Sequence, residues 1–337
     1  MGEVSATILG LGGAVLEADE ALFFEIAQPW GFILFARNIE TPAQLGRLTR
    51  DLREAVGRDA PILIDQEGGR VQRMRGPHWR EWMPALDQMA ALGPEAGTRA
   101  MYLRSRLIAD ELRAAGIDVN CAPLADVARE RTHPVLRNRL YGHDPETVAA
   151  VARAVADGLL DGGVLPVLKH LPGYGLAEVD SHEDLPRIAA PLDTLRAVDF
   201  AAFRPLADLD MAMTAHVVVE AIDPDTPATL SPACIGVIRE EIGFDGLLMT
   251  DDLSMGALRG PIGDRAARAR AAGCALILHC NGDRAEMEDV LAEAGTLDAA
   301  ARQKGEAALA RRADMRPLDM RAAEAKFSEL LGDARDG

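Results

Sequence analysis

Eight short apolar runs recur along this chain: ATILGL (6–11), FILFA (32–36), PILID (61–65), IDVNCAP (117–123), LPVLK (165–169), LDMAMTA (209–215), GLLMTD (246–251) and CALILHC (274–280). A strand with one wet face alternates apolar and polar residues. These runs hardly alternate, so each must be covered on both faces, which is the pattern of a buried parallel sheet. The segments between them read as helices. Thr41 before Pro42 forms an N-cap and first helical position ahead of AQLGRLTRDLREAVG. Pro145-Glu146 opens a helix through about Leu160, and Gly162-Gly163 stops it; 192–208 and 231–242 also carry helical periodicity. Strand and helix alternating eight times predict a (β/α)8 TIM-type barrel. A doubly wound open sheet would need a Gly-rich phosphate turn. The nearest candidate, GLGG (10–13), lacks the full G-x-G-x-x-G and no clear helix follows it directly. The last forty residues are charged and Ala-rich. The chain therefore reads as a single domain, residues 1–337, with a barrel over about 5–295 and C-terminal surface helices over about 296–332.

Net charge restricts the partners. At −17 the surface repels phosphate backbones, so neither nucleic acid nor an anionic membrane is expected to bind. No apolar run reaches membrane-spanning length, and MGEVSATILGLGG at the N-terminus has no basic n-region. Cys121, Cys234, Cys274 and Cys280 lie far apart in apolar contexts with no C-x-x-C spacing, as reduced, buried thiols do. These features place the protein in the cytoplasm, with a monomer as the default expectation.

Active sites of such barrels lie at the C-terminal ends of the strands. Arg37-Asn38 follow the second run, Asp65 ends the third and Asp126 lies just after the fourth. Lys169-His170 end the fifth, His216 the sixth and Asp251-Asp252 the seventh, and Asn281 follows the eighth. Burying charges costs several kcal/mol unless they are paired or used, so this crown predicts a polar, substrate-sized pocket.

Three chemistries could use it. A Schiff base on Lys169 needs a neutral lysine, and the neighbouring carboxylates disfavour that. His170, His182, His216 and Asp251-Asp252 are metal-ligand types, but no H-x-H or H-E-x-x-H occurs, and adjacent strand residues point opposite ways. In glycoside hydrolysis one carboxylate attacks the anomeric carbon while an acid protonates the leaving oxygen. Asp251, on a rigid strand, suits the nucleophile. His182, in the loop 169–186, could be the acid, with Asp180 to orient and charge it.

Five segments, in order, carry a resemblance: IDQEGGRVQRM (64–74), PVLRNRLYGHDPE (134–146), KHLPGYG with DSHEDLP (169–186), TAHVVVEAIDPDTPATLS (214–231) and TDDLSMGAL (250–258). Together they resemble the single-domain, peptidoglycan-recycling β-N-acetylglucosaminidases of glycoside hydrolase family 3. The resemblance implies a (β/α)8 barrel, retention of anomeric configuration through a covalent glycosyl-enzyme, and neither metal nor organic cofactor. It makes Asp251 the nucleophile, His182 the acid/base and Asp180 its partner. It makes Asp65, Arg73, Arg139, Lys169 and His170 ligands of the non-reducing sugar. The implied substrate is a small carbohydrate, GlcNAc-1,6-anhydro-muramyl peptide or a related amino-sugar glycoside. A histidine acid titrates near ~6.5 and never turns negative, so it would not repel an anionic substrate. The same property leaves phosphorolysis open as an alternative, beside a broader β-glucosidase and, more distantly, a non-catalytic sugar-binding barrel. Where the family commonly reads KHFPGHG this chain has Leu171 and Tyr174, LRNRLYG (136–142) replaces a more usual I-G-x-R-S-F-G, and Ala275 stands where an acidic residue is common.

Overall fold

The computed structural model describes residues 3–179, 181 and 184–333. Each apolar run contains a strand: β1 (Ser5–Leu9), β2 (Pro29–Leu34), β3 (Ile62–Ile64), β4 (Val119–Asn120), β5 in two pieces (Leu165–Pro166 and Leu168–Leu171), β6 (Met211–Thr214), β7 (Leu247–Met249) and β8 (Ile277–His279). All neighbours pair in parallel. One sheet runs β8-β1-β2-β3-β4 to the first piece of β5, and the second piece continues to β6 and β7. A parallel bridge between Met249 and Leu276, with Thr250 N–H donating to the Leu276 carbonyl (3.1 Å), sets β7 beside β8 and completes the round.

Both faces of the strands are buried, but in two separate apolar clusters. Ile8, Ile33, Leu63, Val119, Met213, Leu247, Met249 and Leu278 fill the barrel interior. Leu9, Phe32, Leu34, Ile62, Ile64, Leu248 and Ile277, their neighbours along the strands, pack outward against the helices. The period of two is intact; it is hidden in the sequence because both sides require apolar residues.

The helix starts follow the capping chemistry. Thr41 accepts the Gln44 N–H ahead of Pro42–Val56, and Asp144 accepts the Thr147 N–H ahead of Pro145–Asp161. Each such cap contributes about 1 kcal/mol. The segment 192–208 is three short turns of helix instead of one, broken at Val198 (φ −123°, ψ −63°). The segment 231–242 starts as Pro232–Val237 and widens to i→i+5 bonding over Ile238–Ile242.

The C-terminal helix Ala299–Ala310 does more than cover surface. Its Ala301 and Ala308 join Ala6, Trp30 and Leu297 in the interior cluster, so it plugs the end of the barrel where the strands begin. Gly305 admits the Trp30 ring, whose Nε1 would lie 3.1 Å from an added Cβ. The following helix, Met320–Asp333, rests on the long helix Ala85–Ala114, with Phe327 edge-on to Trp82 at 5.5 Å. One end of the barrel is thus closed by apolar side chains, leaving the C-terminal strand ends as the accessible mouth. All four cysteines are buried and free. Among the described residues no helix is long and apolar enough to cross a membrane.

Candidate active site

A cavity opens at the C-terminal ends of the strands. Its walls include Asp65, Arg73, Arg139, Lys169, His170 and Asp251, together with apolar Phe35, Val135, Met213 and Met255. Asp65 follows β3, and the chain then folds back as a small antiparallel hairpin, Gln66–Gly68 with Val71–Gln72. The hairpin brings Arg73 to Asp65, at 2.8 Å. Lys169 lies on β5 between two carboxylates, with Nζ 3.1 Å from Asp65 and 2.6 Å from Glu67. Glu67 also receives Arg139 through both nitrogens of a fork: Nε to Oε2 at 2.9 Å and Nη2 to Oε1 at 2.8 Å.

The electrostatics follow from burial and pairing together. Side-chain exposure is 2% for Lys169 and 4% for Glu67, so water screens little of their attraction. Burial by itself would raise the Glu67 pKa, but Arg139 and Lys169 reverse it, from an ordinary 4.5 to about 2. Asp65 is likewise held well below the usual carboxylate range, because Lys169 and Arg73 outweigh its desolvation. Burial disfavours the Lys169 ammonium, yet Asp65 and Glu67 hold it above an ordinary lysine. A lysine whose ammonium is favoured by two carboxylates is a poor Schiff-base nucleophile, so the geometry disfavours that chemistry.

Glu67 was not singled out among the sequence candidates, although it lies in the quoted IDQEGGRVQRM. Its importance arises from the hairpin, which turns it inward under Lys169 and Arg139. The turn needs Gly68, at φ +99°, where an added Cβ would lie 1.7 Å from Arg104 Nη2. That same Nη2 donates to the Glu67 carbonyl at 2.6 Å. Gly68→Ala therefore combines a left-handed backbone with a collision against a buried guanidinium. It is expected to destabilise the fold by more than about 3 kcal/mol. Thermal unfolding checks this: an unchanged melting temperature would contradict the role assigned to the hairpin.

On the fourth and fifth strand ends, Asp126 organises the base of the loop. Its Oδ2 lies 2.8 Å from His170 Nδ1 and its Oδ1 accepts the Tyr174 N–H at 2.6 Å. With Nδ1 committed to Asp126, Nε2 is the His170 nitrogen left for a ligand. Pro172, Gly173 and Gly175 shape the turn that follows β5. Gly175 allows close approach to the neighbouring strand end, since an added Cβ would lie 2.1 Å from the Val127 carbonyl oxygen.

Asp251 follows β7 at the cavity wall, where its Oδ1 accepts the Asp252 N–H at 2.8 Å. Asp252 is tied down by the Ser254 N–H (3.0 Å), the Ser254 hydroxyl (2.6 Å) and the Cys280 N–H (3.1 Å). His216 also faces the cavity and is bonded at both ring nitrogens, to the Thr229 hydroxyl (2.8 Å) and to the Asp252 carbonyl (2.9 Å). Burial lowers its pKa, which favours the neutral ring. Among the described residues no three His, Cys, Asp or Glu side chains are grouped so as to hold a metal ion.

Not every polar strand end belongs to the site. Arg37 and Asn38 bond the Leu11 and Gly13 carbonyls, and Asn281 bonds Glu286. These residues tie connecting loops together, which satisfies backbone groups at the barrel rim. His133 lines the cavity and also accepts the Val135 N–H at the start of Pro134–Arg137. His182 and Asp180 lie outside the described residues; their neighbours Val179 and Ser181 line the cavity.

The model of the glycosyl hydrolase family 3 N terminal domain matches residues 25–311. The chain belongs to glycosyl hydrolase family 3. The family assignment covers most of the barrel and every described site residue named above. A beta-hexosaminidase of Pseudomonas aeruginosa is 39% identical over 290 residues, 85% of each protein. A beta-hexosaminidase of Alkalilimnicola ehrlichii is 39% identical over 282 residues, 81% of this chain and 80% of that one. Among solved structures, NagZ from Neisseria gonorrhoeae in complex with N-trifluoroacetyl-D-glucosamine superposes with a TM-score of 0.85 at 30% identity, covering 98% of both chains. LpqI of M. tuberculosis superposes with a TM-score of 0.73 at 28% identity, over 93% of this chain and 92% of that one. The protein is thus a family 3 glycoside hydrolase on a TIM-type barrel, acting on a small carbohydrate.

Proposed function

We propose that this family 3 hydrolase is a retaining exo-β-N-acetylglucosaminidase that removes the non-reducing GlcNAc from peptidoglycan fragments in the cytoplasm, as part of cell-wall recycling. The observation that carries this reading is the convergence of Asp65, Arg73, Arg139, Lys169 and His170 with Asp251 on one cavity. Carboxylates accept from vicinal hydroxyls while Lys and Arg donate to them, so one sugar ring can be held at several positions. The relatives named beta-hexosaminidase, and the neighbour that binds N-trifluoroacetyl-D-glucosamine, support the acetamido sugar.

In this mechanism the Asp251 carboxylate attacks the anomeric carbon as the bond to the leaving oxygen breaks. His182 gives its proton to that oxygen, and Asp180 stabilises the imidazolium beforehand. Water then loses a proton to His182 and attacks the same carbon, releasing the sugar and restoring Asp251.

The test is release of 4-nitrophenol from its β-N-acetylglucosaminide beside the β-glucoside, in phosphate-free buffer. Preference for the acetamido sugar is the expected result. Turnover only after phosphate is added would replace the hydrolase reading with a phosphorylase. His182→Ala is expected to lower kcat/KM on substrates with poor leaving groups by about 10²–10⁴-fold. Little or no loss on those substrates would overturn its role as the acid.

A further inference from the structure

Tyr174 is buried at the cavity wall, 7% exposed, and its hydroxyl reaches the chain on both sides of position 180. Its Oη accepts the Ser181 N–H at 3.1 Å and donates to the Val179 carbonyl at 3.4 Å. Its backbone N–H donates to Asp126 Oδ1, while Oδ2 of the same carboxylate holds His170 Nδ1. The rings of Tyr174 and His170 lie 5.7 Å apart. On the far side, the Ser181 carbonyl accepts the Ala257 N–H at 3.1 Å, in the segment that follows Asp251. A continuous set of bonds thus runs from a candidate sugar ligand through Asp126 and Tyr174 to the backbone at 179 and 181, and on to the nucleophile's own loop.

We infer that Tyr174 is a positioning residue for proton transfer: its hydroxyl ties down the backbone at Val179 and Ser181, the residue that directly precedes the proposed acid/base His182 in the chain. The inference rests on the proposed role of His182 as acid/base. A proton donor must sit within hydrogen-bond reach of the leaving oxygen, and displacements of about 1 Å can cost on the order of 10²-fold in rate. A phenol suits the task because it donates and accepts at one atom without adding charge beside a donor that must itself change charge. Its rigid ring delivers that atom with two torsions fixed by packing.

The prediction is specific to leaving groups. Tyr174→Phe keeps the ring and removes only the hydroxyl. It is expected to lower kcat/KM about tenfold on alkyl or disaccharide β-N-acetylglucosaminides, whose leaving oxygen needs a proton, and to leave the 2,4-dinitrophenyl glycoside within about twofold of wild type. Equal losses on all leaving groups would assign Tyr174 to sugar binding or folding and overturn the inference; no loss on any would do the same. His182→Ala run in parallel separates the two levels. If it lacks leaving-group dependence, the acid assignment fails and this inference with it. If it shows that dependence and Tyr174→Phe does not, only the Tyr174 inference fails. A second readout needs no variant: the Ser181 amide of the wild type is expected to exchange at least about tenfold more slowly than an open chain. Exchange at the open-chain rate would mean that the tether does not form in solution.

Discussion

Asp251→Asn is expected to lower kcat/KM by at least about 10⁴-fold with little change in melting temperature. The two halves of that expectation come from the same geometry. Asp251 lines the cavity, and among the described residues its side chain makes one hydrogen bond, from the N–H of the next residue. An amide oxygen can keep that bond, so the fold loses little. The negative charge that makes the carboxylate oxygen a nucleophile toward the anomeric carbon is lost, and a neutral amide oxygen does not replace it. Substitution of Asp252 gives the contrasting pattern, because two bonds from Ser254 shape the loop after β7 and a third, from the Cys280 N–H, ties that loop to the end of β8. Asp252→Asn is therefore expected to cost stability first. Mass spectrometry of protein treated with a slowly released fluorinated sugar checks the assignment directly: the label belongs on the peptide containing Asp251. A label elsewhere, or Asp251→Asn retaining turnover, would refute it.

Glu67→Gln should produce the second largest effect, on stability and activity together. Glu67 neutralises Lys169 and Arg139 in a site where both cations are almost fully enclosed. Removing one partner of a buried ionic network leaves uncompensated charge and typically costs about 3–5 kcal/mol. Sugar binding suffers as well, because Lys169 and Arg139 lose the carboxylate that fixes their positions. A loss of about 10²-fold in kcat/KM is expected from misplacement alone. The pH dependence gives an independent signature. The folded Glu67 pKa is depressed from 4.5 to about 2. Its contribution is therefore fully present above about 4.5 and is lost as pH falls through about 2. Between those values the wild-type melting temperature should fall more steeply than that of Glu67→Gln. Parallel curves would show that Glu67 is not the linked group.

Much of this was legible before any coordinates. The eight apolar runs all became strands, because a parallel barrel buries both faces and so writes an unmistakable continuous pattern. Helix starts at Thr41-Pro42 and Pro145 were legible because these signals lie within one turn of the helix. The long helix Ala85–Ala114 was not singled out; Gly93 and Pro94 interrupt it, and its continuation depends on packing against Pro145–Asp161. The polar crown was read too generously, since an Arg or Asn after a strand looks the same whether it faces a ligand or ties down a loop.

The sequence by itself determined the architecture and the chemical types at the strand ends, because periodicity, capping and strand termini depend on residues close together in the chain. Only the tertiary structure decided which of those groups meet. Glu67 became the centre of the site because a hairpin turned it beneath a lysine and an arginine from distant segments. Tyr174 became a tether because its hydroxyl meets the backbone on both sides of residue 180. Electrostatic energy and hydrogen bonding depend on separation in space and on the exclusion of water, and both are set only when the barrel closes.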